Sequence, residues 1–292
     1  MPKLFAIVGM GDGIGLAVSR RFAREGFAIA MIARNEAKLQ GFKDTLEAEG
    51  YKAHSFIADA GSESSLKSAF TSIQEQLGNP EVLIYNAAVP KMENVLNETV
   101  ESLTNDFKIN VAGALIATQA VLPAMKAQNQ GTIVFTGGAF SLYPSPDFAS
   151  LSIGKAGIRS LAKMLAEALK SDGIRVGTIT VSGTVSPNDP KYNPESIAEN
   201  YWGFHTNTES DSEIVYWLWH NASAYNIENE EHSWWLNLKG LRSKAVLWKL
   251  VTHDNRILDI AVDAKRFVAR HRIVYMEDGR LADKPNAVAL VE

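Results

Sequence analysis

The chain has 292 residues, 46% hydrophobic and 21% charged, with a net charge of −4. Such values fit one large globular domain, or one domain with an appendage, and give no reason to expect a nucleic-acid or anionic-membrane partner. There is no cysteine, which excludes disulfides and thiolate chemistry.

The opening MPKLFAIVGM lacks the layout of a signal peptide and leads straight into a strand-like run, so a cytoplasmic protein is expected. The longest mostly apolar run, Val111 to Met125, is broken by Thr118, Gln119 and Pro123 and is too short to span a bilayer.

Short apolar runs alternate with amphipathic stretches as far as residue 185. Leu4–Val8, Ala28–Ala33, Ala53–Ile57, Val82–Tyr85, Thr132–Thr136 and Arg175–Val181 read as strands covered on both faces. Ile14–Glu25, Glu36–Glu49, Ser62–Leu77, Thr99–Ala127 and Ala149–Lys170 carry helical spacing. The alternation predicts an α/β fold, a Rossmann-type doubly wound parallel sheet in three αβα layers with a C-terminal appendage.

Residues 186–212 are richer in Pro, Asn and Ser and read as loop and short helix. Five of the six tryptophans lie from Trp217 onward. The chain is therefore divided into a dinucleotide-binding domain, 1–216, and a C-terminal extension, 217–292. In the extension a helix is predicted around Ser233–Leu250 and a tight hairpin turn at Asp278-Gly279.

The first strand runs into Gly9-Met10-Gly11-Asp12-Gly13-Ile14-Gly15 and then a helix. Glycines there let the backbone turn tightly and approach a diphosphate held at the helix N-terminus. Asp12 places a carboxylate inside that loop. At the end of the second strand, where NAD-specific proteins place a carboxylate for the ribose, stand Ala33 and Arg34. A guanidinium suits a 2′-phosphate, so NADP(H) is favoured over NAD(H); the alternative for Arg34 is a solvated residue at a helix start.

The glycine spacing, taken with later landmarks in the same order, resembles the short-chain dehydrogenase/reductase family over residues 1–216. The resemblance implies that Asp59 contacts adenine and that Asn86-Ala87-Ala88 matches the family's Asn-Asn-Ala-Gly segment. It implies that Asn110 holds a water in a proton relay and that Lys155 binds the nicotinamide ribose. Gly183 and Val185 would then lie over the nicotinamide. The departures are Tyr85, Ala88 and Ser182, and two more at the centre of the chemistry. Leu151 stands where the family has its tyrosine acid, and Gly138 where it has the serine that orients a carbonyl.

Losing a positioned acid costs roughly 10²–10⁴-fold in rate. Tyr143 is the candidate replacement, its bland alternative being packing beside Pro144 and Pro146. Ser152 shares a face with Lys155, but a serine is a poor acid. The resemblance thus supports two readings: an oxidoreductase acting on a small carbonyl or alcohol with a degraded catalytic tetrad, or an inactive NADP(H)-binding sensor or scaffold. It also implies a homodimer or homotetramer.

Val251–Ala261 and His271–Leu281 resemble the end of an ABC-transporter ATPase, with His253 at the γ-phosphate sensor. No Gly-x-x-x-x-Gly-Lys-Ser/Thr loop occurs, so ATP hydrolysis is not expected and the segment is read as a fused remnant. The six histidines show no zinc spacing.

Overall fold

The computed structural model describes residues 3–207, 212–217, 246–251, 257–262, 274–277 and 280–281. The chain divides into two compact units, Met1–Leu218 and Trp219–Glu292.

In the first unit β1 (Leu4–Val8), β2 (Ala28–Ala33), β3 (Ala53–Ile57), β4 (Val82–Tyr85), β5 (Gly131–Gly138), β6 (Ile174–Ser182) and β7 (Glu213–Trp217) form one sheet in the order β3-β2-β1-β4-β5-β6-β7. Every pairing is parallel. The helices are α1 (Ile14–Ala23), α2 (Glu36–Ala48), α3 (Glu63–Leu77), α4 (Val100–Phe107), α5 (Gly113–Gln128), α6 (Ala149–Ala168) and α7 (Pro194–Thr206).

Side chains alternate across each strand, so the sheet buries two faces. Leu4, Ala6 and Val8 of β1 pack with residues of α3, α5 and α6, including Phe70, Val121 and Ile158. Phe5 and Ile7 pack on the other face with α1, α2 and α7, including Phe22, Leu39 and Tyr201. These are the three αβα layers expected from the alternation.

The helix predicted over Thr99–Ala127 is continuous from Val100 to Gln128 but contains a π turn at Lys108–Ala112, where the Gly113 N–H reaches back to Lys108 O. By length and composition alone it would cross a membrane, yet Ala114, Ala117, Val121 and Met125 are buried in the core.

The seventh strand was not anticipated. It is fastened through Glu213, which takes two 2.7 Å bonds from Arg159 and one of 3.0 Å from Thr180 Oγ1.

The second unit holds a four-stranded antiparallel sheet, β11-β10-β9-β8, made of β8 (Val246–Val251), β9 (Ile257–Val262), β10 (Val274–Glu277) and β11 (Arg280–Leu281). The helix expected over Ser233–Leu250 is corrected where it is described: Val246–Leu250 pair in antiparallel register with β9. The run Val-Leu-Trp-Lys-Leu-Val is as compatible with a strand, and cross-strand pairing decides such cases. Glu277 pairs with Arg280 in antiparallel register, on either side of the turn expected at Asp278-Gly279. Those two residues and His253 lie outside the described residues.

Candidate cofactor and active site

The strand order reverses between β1 and β4, and in open parallel sheets ligands bind at that switch point, beyond the carboxyl ends of the strands. Here the glycine loop leaves β1 beside the Asn86-Ala87 segment leaving β4. Gly9 adopts φ +90°, and a Cβ on it would meet Ala87 N at 2.3 Å. Asn86 locks the junction, its backbone N–H on Val8 O at 2.8 Å and its side-chain amide on Gly9 O at 2.9 Å.

Above Gly11 and Gly13 there is open space, with no atom within 4 Å of a Cβ built on either. Gly13 brings no side chain to cap α1; Leu16 N–H bonds Gly11 O and Ala17 N–H bonds Gly13 O, which leaves the N–H groups of Ile14 and Gly15 for another acceptor. Asp12 is exposed beside them.

A cleft opens from this loop across the ends of β2 and β3. Its lining includes Gly9, Arg34, Asp59 and Ala87, all expected from the sequence, and also Ala58 and Ile109, which the sequence did not single out. Arg34 is exposed, and no ion pair or hydrogen bond of its side chain occurs among the described residues. Asn35, not Arg34, caps α2 by accepting from Lys38 N at 2.9 Å. Asp59 Oδ1 accepts from Gly61 N at 2.9 Å, which shapes the turn into α3.

Tyr85, one of the departures, has a structural task. Its fully buried hydroxyl donates to Ile109 O at 2.5 Å, inside the π turn. A Cβ on Gly113 would sit 2.3 Å from the same hydroxyl oxygen. The π turn carries Asn110, whose Oδ1 accepts from Val89 N at 2.8 Å and whose side chain lies against Gly154. Asn110 thereby joins the segment after β4 to α6. Its Nδ2 is buried without a partner among the described residues.

Lys155 lies one turn beyond Leu151 on α6. Its ammonium donates to Thr136 O at 2.7 Å, and burial lowers its pKa to about 8. Thr132 N bonds Glu81 O on the β4 side, so Thr136, an even number of residues on, turns its carbonyl the same way. The β4 pairing stops at Tyr85–Phe135, and Lys155 takes the carbonyl that β4 no longer reaches.

A Cβ on Gly138 would lie 3.5 to 3.6 Å from the Lys155 methylenes. Leu151 is 9% exposed. The positions that would hold an orienting hydroxyl and an acid are thus a bare backbone and a buried alkyl group.

Ser152 is committed elsewhere: its hydroxyl accepts from Ser145 N at 3.1 Å and staples the preceding loop. Tyr143 stands 41% exposed after a 3₁₀ turn, its N–H on Ala139 O, with its phenol pushed up by partial burial. Gly183 packs against the ring of Tyr192, whose hydroxyl donates to Ser182 O at 2.6 Å. Val185 packs at the edge of the same cluster. Among the described residues no group of three metal-ligating side chains occurs.

A seven-stranded parallel sheet in this order, flanked by helices on both faces and with a glycine loop at its switch point, defines a doubly wound α/β fold of the Rossmann type. The chain belongs to the short chain dehydrogenase family, whose profile matches residues 3–196.

It is 27% identical over 233 residues to 2-(S)-hydroxypropyl-CoM dehydrogenase 3 of Xanthobacter autotrophicus, covering 76% of this chain and 91% of that one. To human dehydrogenase/reductase SDR family member 4 it is 27% identical over 178 residues, 61% of this chain and 64% of that one. A short-chain dehydrogenase from Rhodopseudomonas palustris superposes with a TM-score of 0.66 at 25% identity, covering 73% of this chain and 97% of that one. For L-sorbose reductase from Gluconobacter frateurii, solved with NADPH and L-sorbose, the TM-score is 0.68 at 21% identity, with coverage of 74% and 94%.

Proposed function

We propose that this chain is an NADP(H)-dependent oxidoreductase acting on a small carbonyl or alcohol, with Lys155 as its central polar group. The observation that carries the reading is the glycine loop: a close approach at Gly9 that only glycine permits, beside open space over Gly11 and Gly13. Those residues fit a diphosphate, with Ile14 at the helix start beneath it and Asp12 at the rim. Arg34, exposed on the cleft, suits a 2′-phosphate, and Asp59 and Ala87 suit the adenosine half. Gly183 and Val185 are assigned to the nicotinamide end on the family resemblance.

The cofactor supplies a hydride when bound. Lys155 orients its ribose and, with Asn110 and solvent water, conducts the proton; Tyr143 is the candidate acid at the rim. Calorimetry with NADPH and NADH, followed by NADPH oxidation over a panel of aldehydes, ketones and quinones, tests this. Tight NADPH binding with turnover lost in Lys155→Ala is the expected result.

Gly138 and Leu151 favour a second reading, a pseudoenzyme that binds NADP(H) as a sensor or scaffold. Tight binding without turnover across the panel would select it.

We also propose that the chain assembles as a homodimer or homotetramer. Phe107, Leu115, Ile153 and Met164 on α4, α5 and α6 are between 38% and 61% exposed, an apolar surface that a second copy would cover. Light scattering after gel filtration reads the mass, and a monomer at micromolar concentration would refute it.

A further inference from the structure

We infer that Tyr201 is a positioning residue for Lys155, acting across the sheet through Thr136. This deepens the function proposed above and rests on its reading of Lys155 as the group beside the nicotinamide.

Thr136 is held from both layers. Its side chain shares a face of β5 with Val134, which packs in the layer of α1, α2 and α7. There Thr136 Oγ1 lies 2.7 Å from Tyr201 Oη, and the pair is buried. Its carbonyl receives the Lys155 ammonium at 2.7 Å, from a helix whose Ile158 and Ala162 pack on the opposite face. One residue at the end of β5 thus ties α7 to the lysine of α6.

At Thr136 the strand is paired to β6 on one edge and no longer to β4 on the other. Gly138, the next residue on the same face of the strand, contributes no side chain. Tyr201 is fully buried in the hydrophobic cluster on α7, and no bond of its hydroxyl other than that to Thr136 occurs among the described residues. A buried hydroxyl pair of this kind is made by both members or leaves one unsatisfied.

The segment 183–193 leads from β6 into α7, so a ligand that shifts α7 pulls on Tyr201, then Thr136, then Lys155. Burial alone lowers the Lys155 titration, with no neighbouring charge contributing. That leaves its bond to the Thr136 carbonyl as the interaction that favours the charged form.

The test reads the Lys155 amine itself. Its reactivity toward acetic anhydride is followed against pH by peptide mass spectrometry, on the full chain without nucleotide. Tyr201→Phe and Thr136→Val each remove one hydroxyl while keeping shape, and Thr136→Ser keeps the hydroxyl. Without the bond Thr136 loosens and Lys155 loses part of its acceptor. Tyr201→Phe and Thr136→Val are therefore expected to lower the Lys155 midpoint by at least about half a pH unit. The double variant should shift it no further, and Thr136→Ser should titrate like the parent.

A Tyr201→Phe chain that melts cooperatively with an unmoved midpoint overturns the inference, as do additive shifts in the double variant. If Tyr201→Phe does not fold, Thr136→Val reads the same bond from its other end. Because the labelling needs no nucleotide, a chain that fails to bind NADPH overturns the proposed function and leaves this readout standing.

Discussion

Gly138 and Lys155 meet at the end of β5, where a Cβ on the glycine would touch the lysine's Cε at 3.5 Å. That is ordinary van der Waals contact, and Gly138 has an extended backbone at φ −164° and ψ 156° that any residue adopts. A serine therefore fits at 138. Leu151, one helical turn before Lys155, is the matching position for a tyrosine. Gly138→Ser with Leu151→Tyr is expected to raise NADPH-linked ketone reduction by at least ~100-fold, the lower end of what a positioned acid contributes. Steady-state NADPH oxidation checks it. No gain in a double variant that still binds NADPH would mean that the reacting carbon lies away from Lys155.

The glycines of the loop separate two kinds of constraint. Gly9→Ala drives a Cβ into the backbone of Ala87 and forces alanine to φ +90°; it should cost about 2 kcal/mol or more in folding stability. Gly11→Ala meets open space without a left-handed φ and should leave the melting temperature nearly unchanged. The added methyl projects where the diphosphate is proposed to lie, so NADPH affinity should fall at least ~10-fold. Differential scanning calorimetry and binding calorimetry on the same two variants decide the matter.

Most of the fold was legible because β1, β2 and β4 are continuously apolar, as strands covered on both faces are, and because the helices between them carry clear spacing. The π turn was not. Lys108–Ala112 reads as unbroken helix, and what accompanies its extra residue is a tertiary bond from Tyr85 to Ile109 O, 24 residues away. β7 escaped for a similar reason: five residues have little local signal, and their place depends on Arg159 reaching Glu213.

At the site, the glycine spacing could be read directly, since close backbone approach is tied to residue type, whereas Lys155 entered only through the family resemblance. Tyr201 could not be read, because its role is a contact across the sheet. Ser152 shows the converse: helical spacing put it beside Lys155, yet a loop amide takes its hydroxyl.

Tyr85→Phe isolates the π turn. It removes a buried hydroxyl, leaves the Ile109 carbonyl without its donor, and should cost about 1–3 kcal/mol in urea denaturation. Because Asn110 rides on that turn, NADPH-linked turnover should fall by more than NADPH affinity does. Equal losses in the two would assign Tyr85 to stability alone.

Arg34→Ala separates the two nucleotides. A guanidinium bonded to a phosphate is worth roughly 1.5–3 kcal/mol, so NADPH affinity should drop about 10- to 100-fold while NADH affinity barely changes. Equal effects on both would remove the argument for NADP(H) preference and return Arg34 to a solvated helix-start residue.

The Lys155 titration gives opposite signs for binding and for stability, which makes it a strict test. Unfolded lysine loses its proton near pH 10.4, at about that value, whereas the folded group does so at about 8. Between those values the unfolded chain holds a proton that the folded chain has released, so the contribution of this group to stability rises with pH. Below about 8 both states are protonated, and the cost of burying the ammonium is present in full. Nucleotide binding runs the other way, because raising the pH through about 8 discharges the ammonium proposed to hold the anionic cofactor. NADPH affinity should therefore decline through that range while this group's part of the urea stability increases. Lys155→Met should flatten both trends together. A parent chain whose NADPH affinity stays constant from about pH 7 to about pH 10 would show that Lys155 does not hold the cofactor.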